Sequence, residues 1–195
     1  MKTPLGIAIF GMAAILVVGF VWVSLVSGTN RGETGPLDSY GHGEMRAFVT
    51  LDDAPSQPDL AYIDGDGAEV RLSDYRGQVI LVNYWATWCG PCVEEMPALS
   101  DLQSELGGDD FQVVTVTLDR SIEDAREFLT RMALDNLPLI HDGTFSSPSQ
   151  VRAIGLPMSI LYDGQGREIG RVPAPAEWNS EDAYALIRAA IRRDV

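Results

Sequence analysis

The chain has 195 residues, and its 28 Asp and Glu residues against 14 Lys and Arg residues give a formal net charge of −14. That charge argues against a nucleic-acid-binding protein, because few cations are present to neutralise a run of phosphates. An apolar content of 46% argues against a disordered chain, and the length suits one folded domain with an appendage.

The first predicted element is a membrane anchor at the amino terminus. Residues 5–26 carry no charged side chain, and at about 1.5 Å per residue they reach about 33 Å, enough to cross a hydrocarbon core of roughly 30 Å. A cleaved signal peptide is the alternative, but its apolar segment is usually shorter, and no cleavage site of small residues follows here. Lys2 precedes the span, which favours a cytoplasmic amino terminus. We therefore expect residues 1–27 to form a transmembrane helix that leaves the rest of the chain outside the cytoplasm.

A flexible tether is expected between the anchor and the folded domain. Residues 28–44 hold five glycines and one proline and show little apolar periodicity, a composition typical of a linker. We therefore assign residues 28–57 to the tether and residues 58–195 to the domain.

Strands and helices alternate in the predicted domain, with a hairpin near each end. Asp-Gly-Asp-Gly at 64–67 and Asp-Gly-Gln-Gly at 163–166 are typical hairpin turns. Mostly apolar runs predict buried strands, and apolar positions at helical spacing predict helices. The expected strands are 60–63, 68–72, 78–85, 111–118, 137–141, 159–162 and 168–172, and the expected helices are 90–106, 121–134, 148–154 and 179–193. This order predicts an α/β fold with a mixed central sheet flanked by helices.

The two cysteines of the chain, Cys89 and Cys92, form a C-x-x-C pair between a predicted buried strand and a predicted helix. Cys89 then lies at the helix N-terminus, where free N–H groups and the helix dipole favour a thiolate. Gly90 and Pro91 occupy the first turn, where proline loses no helix hydrogen bond. A zinc site needs two further ligands, which the distant histidines do not supply. A structural disulfide would normally join distant segments, so the pair indicates redox chemistry.

Together these motifs resemble the thioredoxin superfamily, and within it the TlpA-like and ResA-like membrane-anchored thiol–disulfide oxidoreductases. The resemblance covers residues 58–193 and is carried by LSDYRG at 72–77, VNYWATWCGPC at 82–92, EEMP at 94–97 and GLP at 155–157. It implies a thioredoxin-like fold with an N-terminal hairpin and a helix–strand insertion at 121–141. It also implies that Pro157 is a cis-proline facing the two cysteines.

Two further side chains near the cysteine pair are candidates for supporting roles. The resemblance places Asn83, which cannot titrate, where plain thioredoxins carry a buried Asp, and it places Glu95 where TlpA-like proteins carry an acid. Because Glu95 shares a helix face with Cys92, we expect it to accept the proton of the Cys92 thiol. The alternative is a first-turn acid favoured only by the helix dipole. Trp88 is expected to shield the cysteines or else to pack in the core.

The predicted function is a membrane-tethered disulfide reductase on the periplasmic side of a bacterial inner membrane. No nucleotide-binding fingerprint is present, so we expect no metal and no cofactor beyond the redox-active disulfide of Cys89 and Cys92. The expected partners are proteins with disulfides and a membrane electron donor of the thiol–disulfide relay type, and not nucleic acids. The resemblance implies substrates in cytochrome or copper-oxidase assembly. A periplasmic thiol oxidase or isomerase is one alternative, and a copper carrier that uses His141 is another.

Overall fold

The computed structural model describes residues 37–51 and 53–194. The predicted anchor at residues 1–27 and the first part of the predicted tether lie outside the described residues. Within the described ranges, no helix combines the length and the apolar character that a membrane crossing requires.

Seven strands of the described residues form one sheet. The strands are β1 (Ala61–Asp64), β2 (Glu69–Arg71), β3 (Val79–Trp85), β4 (Phe111–Thr117), β5 (Leu139–His141), β6 (Met158–Tyr162) and β7 (Glu168–Val172). Across the sheet they lie in the order β2-β1-β5-β4-β3-β6-β7. β3 is parallel to β4 and β4 is parallel to β5, whereas β6 is antiparallel to β3. The sheet is therefore mixed, and the antiparallel pairs β1–β2 and β6–β7 are the two predicted hairpins.

The helices follow the predicted order with small differences at their ends. They are α1 (Gly90–Leu106), α2 (Ile122–Arg131), α3 (Ser147–Gln150) and α4 (Glu181–Asp194). The expected insertion is present as α2 and β5, and β5 pairs with β4 on one side and with β1 on the other. The hydroxyl of Ser121 accepts the N–H of Glu123 at 3.2 Å and so caps α2. The predicted thioredoxin-like arrangement of sheet and helices is confirmed.

Apolar layers cover both faces of β3, which is buried along its whole length. Successive side chains of a strand point to opposite faces of the sheet. Leu81 and Trp85 accordingly pack in the layer that contains α1, α2 and α4, whereas Ile80 and Tyr84 pack in the layer on the other face. Asn83 has the same parity as Leu81 and Trp85, so the strand directs this amide toward α1.

Residues 37–57, which composition assigned to a flexible tether, belong in large part to the folded body. The side chains of Leu37, Met45 and Phe48 are buried in the layer that contains α1 and α4. Short 3₁₀ helices at Asp38–Tyr40 and Gly43–Met45 turn these side chains inward. Such short turns give no helical periodicity, and the glycines around them suggested a linker. The tether assignment is therefore wrong for this part of the chain.

The same segment covers the edge of the sheet. Val49 and Arg171 of β7 exchange two backbone hydrogen bonds, of 2.9 and 2.8 Å. The ring of Phe48 lies directly over Gly170, where an added Cβ would collide with it. Glycine at position 170 therefore makes room for the segment, and the segment protects a strand edge that would otherwise have free N–H and C=O groups.

Candidate active site

The cysteine pair lies between the end of β3 and the first turn of α1. Cys89 and Cys92 form a disulfide with their Cα atoms 5.3 Å apart. Cys89 is the N-cap residue of α1, and its N–H donates to the carbonyl oxygen of Ala86 at 3.1 Å, so residues 86–89 form a turn that leads into the helix. Cys89 is 7% exposed and Cys92 is 0% exposed. Cys89 is therefore the sulfur that a partner can approach.

The first turn of α1 supplies the free N–H groups expected near Cys89. Pro91 lies in this turn, where an N–H would have no partner within the helix. The turn contains no acidic residue, so no carboxylate there competes with a thiolate for the positive end of the helix dipole. At Gly90 an added Cβ would meet open space. The structure thus shows no steric need for glycine at position 90.

Trp88 and Pro157 lie at the end of the sheet from which the cysteine loop departs. Trp88 is 67% exposed, so the alternative that it packs in the core is wrong. The peptide bond between Leu156 and Pro157 is cis, as the resemblance implied. β6 begins at Met158, which pairs with Tyr84 near the end of β3. Pro157 therefore precedes β6 at the same sheet end as the disulfide.

Glu95 is buried one helical turn after Cys92, with only 4% of its surface exposed. Its Oε1 accepts a hydrogen bond from Asn83 Nδ2 at 2.7 Å, and its Oε2 accepts one from the N–H of Ala176 at 3.1 Å. Asn83 Nδ2 also donates to Ser159 Oγ at 2.9 Å, across the pairing of β3 with β6. The sequence singled out Asn83 only as a group that cannot titrate. The structure shows that it is a donor that holds Glu95.

Burial raises the pKa of Glu95 from its ordinary value of 4.5 to about 7, because a carboxyl removed from water favours its neutral form. The N–H of Ala176 and the amide of Asn83 oppose this rise, as does the nearby indole of Trp178. The indole nitrogen itself falls short of a full hydrogen bond, so we count two donors to the carboxylate. Because Glu95 is buried and lies beyond the first turn of α1, it is not the first-turn acid of the alternative hypothesis. Its pKa suits proton transfer near neutral pH.

A cavity of about 310 Å³ opens beside Glu95. Its walls are formed by Glu44, Arg46 and Ala47, by the first turns of α1 and by residues 174–177. Glu95 is itself one of the residues that line this cavity. The segment that sequence analysis assigned to the tether therefore forms one wall of the candidate site.

The part of the chain that the structure describes contains no group of three or more His, Cys, Asp or Glu side chains placed to hold a metal ion. Cys89, Cys92 and His141 therefore do not form such a group. His141 lies on β5, where its Nε2 is 2.9 Å from the backbone oxygen of Asp119.

Known proteins match the chain over the region that carries this site. The Redoxin family model matches residues 50–166, more than half of the chain. Thiol-disulfide oxidoreductase ResA from Geobacillus thermodenitrificans is 30% identical over 110 residues, which are 56% of this chain and 63% of that protein. Thioredoxin-like protein YneN from Bacillus subtilis is 30% identical over 121 residues, which are 60% of this chain and 62% of that protein. The chain thus spans less than two thirds of the length of these curated relatives.

Solved structures share the fold as well. A protein from Chlorobium tepidum, described as a thiol:disulfide interchange protein DsbE, matches with a TM-score of 0.65 and 30% identity, over 71% of this chain and 96% of that chain. A thiol-disulfide oxidoreductase from Bacteroides vulgatus matches with a TM-score of 0.61 and 28% identity, over 70% of this chain and 95% of that chain. These matches confirm the resemblance to TlpA-like and ResA-like proteins, and the chain belongs to the Redoxin family.

Proposed function

We propose that this protein is a thiol–disulfide oxidoreductase that passes two electrons from the reduced pair Cys89 and Cys92 to a disulfide in a protein substrate. One observation carries the proposal: an approachable Cys89 caps α1, while Cys92 and Glu95 are buried behind it. Relatives whose names describe this activity support it.

The exchange proceeds through a mixed disulfide. The thiolate of Cys89 attacks one sulfur of the substrate disulfide, so that a bond forms between the two proteins while the substrate S–S bond breaks, and the released substrate thiolate takes a proton. The sulfur of Cys92 then attacks Sγ of Cys89. This second step forms the intramolecular disulfide of the structure and releases the second substrate thiol. The substrate gains two electrons from the protein and takes up two protons from solvent, while the cysteine pair releases its own protons to solvent as its disulfide forms.

The second step needs a base for the Cys92 thiol, because Cys92 is wholly buried and water does not reach it freely. Glu95 follows one helical turn later, and with a pKa of about 7 it is partly ionised at neutral pH. Asn83 and Ala176 hold its two oxygens in place. The adjoining cavity then lets the proton pass from Glu95 to solvent.

The proposal extends to location and partners. The uncharged run at residues 5–26 and the TlpA-like resemblance support a single-pass anchor in a bacterial inner membrane with the catalytic domain in the periplasm. Electrons then come from a membrane protein of the thiol–disulfide relay type, which reduces the disulfide through Cys89. By the same resemblance, the substrates are cysteine pairs of respiratory-complex proteins that later bind haem or copper.

Two single variants test the exchange. With a peptide that contains one disulfide, reduced Cys92→Ser protein should accumulate a mixed disulfide through Cys89, whereas Cys89→Ser protein should accumulate none because Cys92 is buried. Mass spectrometry of the adducts identifies the bonded residue. A wild-type protein that leaves the peptide oxidised, or trapping through Cys92 alone, would contradict the proposal. Equilibration of the wild type with glutathione buffers then gives the reduction potential, which separates a reductase from an oxidase.

A further inference from the structure

Asp119 is bonded to the turn that carries Cys89. The residue follows β4 and is 1% exposed. Its two carboxylate oxygens accept the N–H of Thr87 at 3.2 and 3.1 Å, and Oδ1 also accepts the Thr87 hydroxyl at 2.8 Å. Thr87 is a central residue of the turn in which the N–H of Cys89 donates to Ala86. Asp119 therefore anchors this turn through both the backbone and the side chain of one residue.

Asp119 is itself fixed by β4 and β5. Its Oδ2 accepts the hydroxyl of Thr117 at 2.7 Å, and its N–H donates back to Thr117 Oγ1 at 3.1 Å. His141 Nε2 lies 2.9 Å from the backbone oxygen of Asp119, and the N–H of Asp142 donates to the backbone oxygen of Thr117 at 3.0 Å. Because β5 belongs to the insertion, a chain of hydrogen bonds runs from the insertion through Asp119 to the cysteine turn.

We propose that Asp119 is a positioning residue for the redox pair: through Thr87 it holds Cys89 at the N-terminus of α1, where the helix dipole favours the thiolate. The inference rests on the proposed thiol–disulfide exchange and deepens it. It also gives the α2–β5 insertion a part in the reaction, since contacts from β5 help to hold Asp119 in place.

The bonding pattern suits a carboxylate. Both oxygens of Asp119 face N–H or O–H donors, and a carboxylate offers acceptors on both sides. An Asn at this position would turn its NH₂ group toward one of these donors in either orientation. Loss of the hydrogen bonds from position 119 would weaken the positioning of Cys89 and slow its reaction. Loss of the negative charge alone would instead favour the Cys89 thiolate and speed its reaction. Positioning and charge therefore predict changes of opposite sign when Asp119 becomes Asn.

The reactivity of Cys89 measures the positioning directly. Reduced full-length protein is treated with iodoacetamide at pH 7, and the modification of Cys89 is followed by mass spectrometry. Asp119→Asn should react about threefold more slowly than the wild type, the size expected when an anion loses part of its interaction with a helix N-terminus. Thr87→Val removes only the hydroxyl bond to Asp119 and keeps the backbone N–H bonds, so it should react about twofold more slowly. Thr87→Ser keeps the hydroxyl and should react at the wild-type rate.

Asp163→Asn is the matched control. Asp163 is also buried, and its carboxylate accepts the N–H groups of Gln165 and Arg167 and the Nε–H of Arg167 in the turn between β6 and β7, away from the cysteine turn. This variant should lose stability and keep the wild-type rate at Cys89. An unchanged or faster rate in folded Asp119→Asn protein, or a Thr87→Val rate equal to that of Thr87→Ser, would overturn the proposal.

The remaining outcomes are also decisive. If Asp119→Asn does not fold, the alkylation rates of Cys89 in Thr87→Val and Thr87→Ser test the proposal, because both variants leave the Asp119 carboxylate in place. No substrate enters the assay. A wild-type protein that fails to exchange with peptide disulfides would therefore refute the proposed function without affecting the alkylation rates compared here.

Discussion

Replacement of Glu95 by Gln should change how the stability of the protein depends on pH. In the folded protein the pKa of Glu95 is raised from 4.5 to about 7. Below pH 4.5 the carboxyl is neutral in both the folded and the unfolded state, so its titration does not lower the unfolding free energy. As pH rises toward 7 the unfolded chain loses this proton and the folded chain keeps it. The folded state then binds more protons, so its stability falls with rising pH.

The difference of about 2.5 pKa units corresponds to about 3 kcal/mol of unfolding free energy lost between pH 4.5 and pH 7. Gln cannot titrate, so the variant is free of this loss. Its amide meets the donors Asn83 and Ala176 with one oxygen and one NH₂ group, which costs about 1–3 kcal/mol at every pH. The unfolding free energy of the Glu95→Gln variant minus that of the wild type should therefore rise by about 3 kcal/mol from pH 4 to pH 8.

Urea unfolding of both oxidised proteins at half-unit steps from pH 4 to pH 8.5, followed by tryptophan fluorescence, measures this difference. All other titrating groups are common to the two proteins and cancel in the comparison. Glu94→Gln is the control: Glu94 is exposed on the same helix, and the change should shift stability by no more than about 0.5 kcal/mol. A Glu95→Gln difference that stays flat, or that falls with rising pH, would refute the role of burial in setting this pKa.

Three further predictions concern the rest of the molecule. A chain that starts at residue 58 should have an unfolding free energy about 5–9 kcal/mol lower than a chain that starts at residue 37, as measured by urea unfolding. Burial of Leu37, Met45 and Phe48 contributes about 1.5–3 kcal/mol each, and the shorter chain lacks all three. Glu168→Gln should lower the unfolding free energy by about 3–5 kcal/mol, because it leaves buried Arg171, 2.5 Å from the Glu168 carboxylate, without its counter-charge. The double variant Glu168→Leu with Arg171→Met should recover most of this loss. The full-length protein should stay in membranes during carbonate extraction, and a mature amino terminus near residue 28 would instead show cleavage.

The parts of the site that depend on neighbours in sequence could be predicted. The C-x-x-C pair and Pro91 lie at the start of α1, so their positions relative to the helix follow from local sequence alone. The effect of the helix N-terminus on Cys89 is likewise a local property. The strand–helix order of the domain likewise follows from periodicity. Trp88 could not be placed, because an exposed tryptophan and a core tryptophan give the same sequence pattern.

The contacts that tune the site could not be predicted, because they join distant parts of the chain. Asn83 meets Ser159 across 76 residues, and Glu95 meets Ala176 across 81 residues. The burial of Leu37 was hidden for a related reason, since it depends on packing against distant elements. A polar residue inside an otherwise apolar strand was the one available signal for Asn83, because a buried amide must find hydrogen-bond partners.

Asn83 and Glu95 form one coupled arrangement. The Nδ2 of Asn83 lies 2.7 Å from Glu95 Oε1 and stabilises its charged form, yet burial outweighs this donor and the N–H of Ala176, so the pKa rises. An Asp at position 83, as in plain thioredoxins, would put two carboxyls within hydrogen-bond distance, where they could not both ionise near neutral pH. An acid on the strand and an acid on the helix are therefore alternatives. The amide at 83 allows the helix position to keep a pKa near 7, in reach of the buried cysteine.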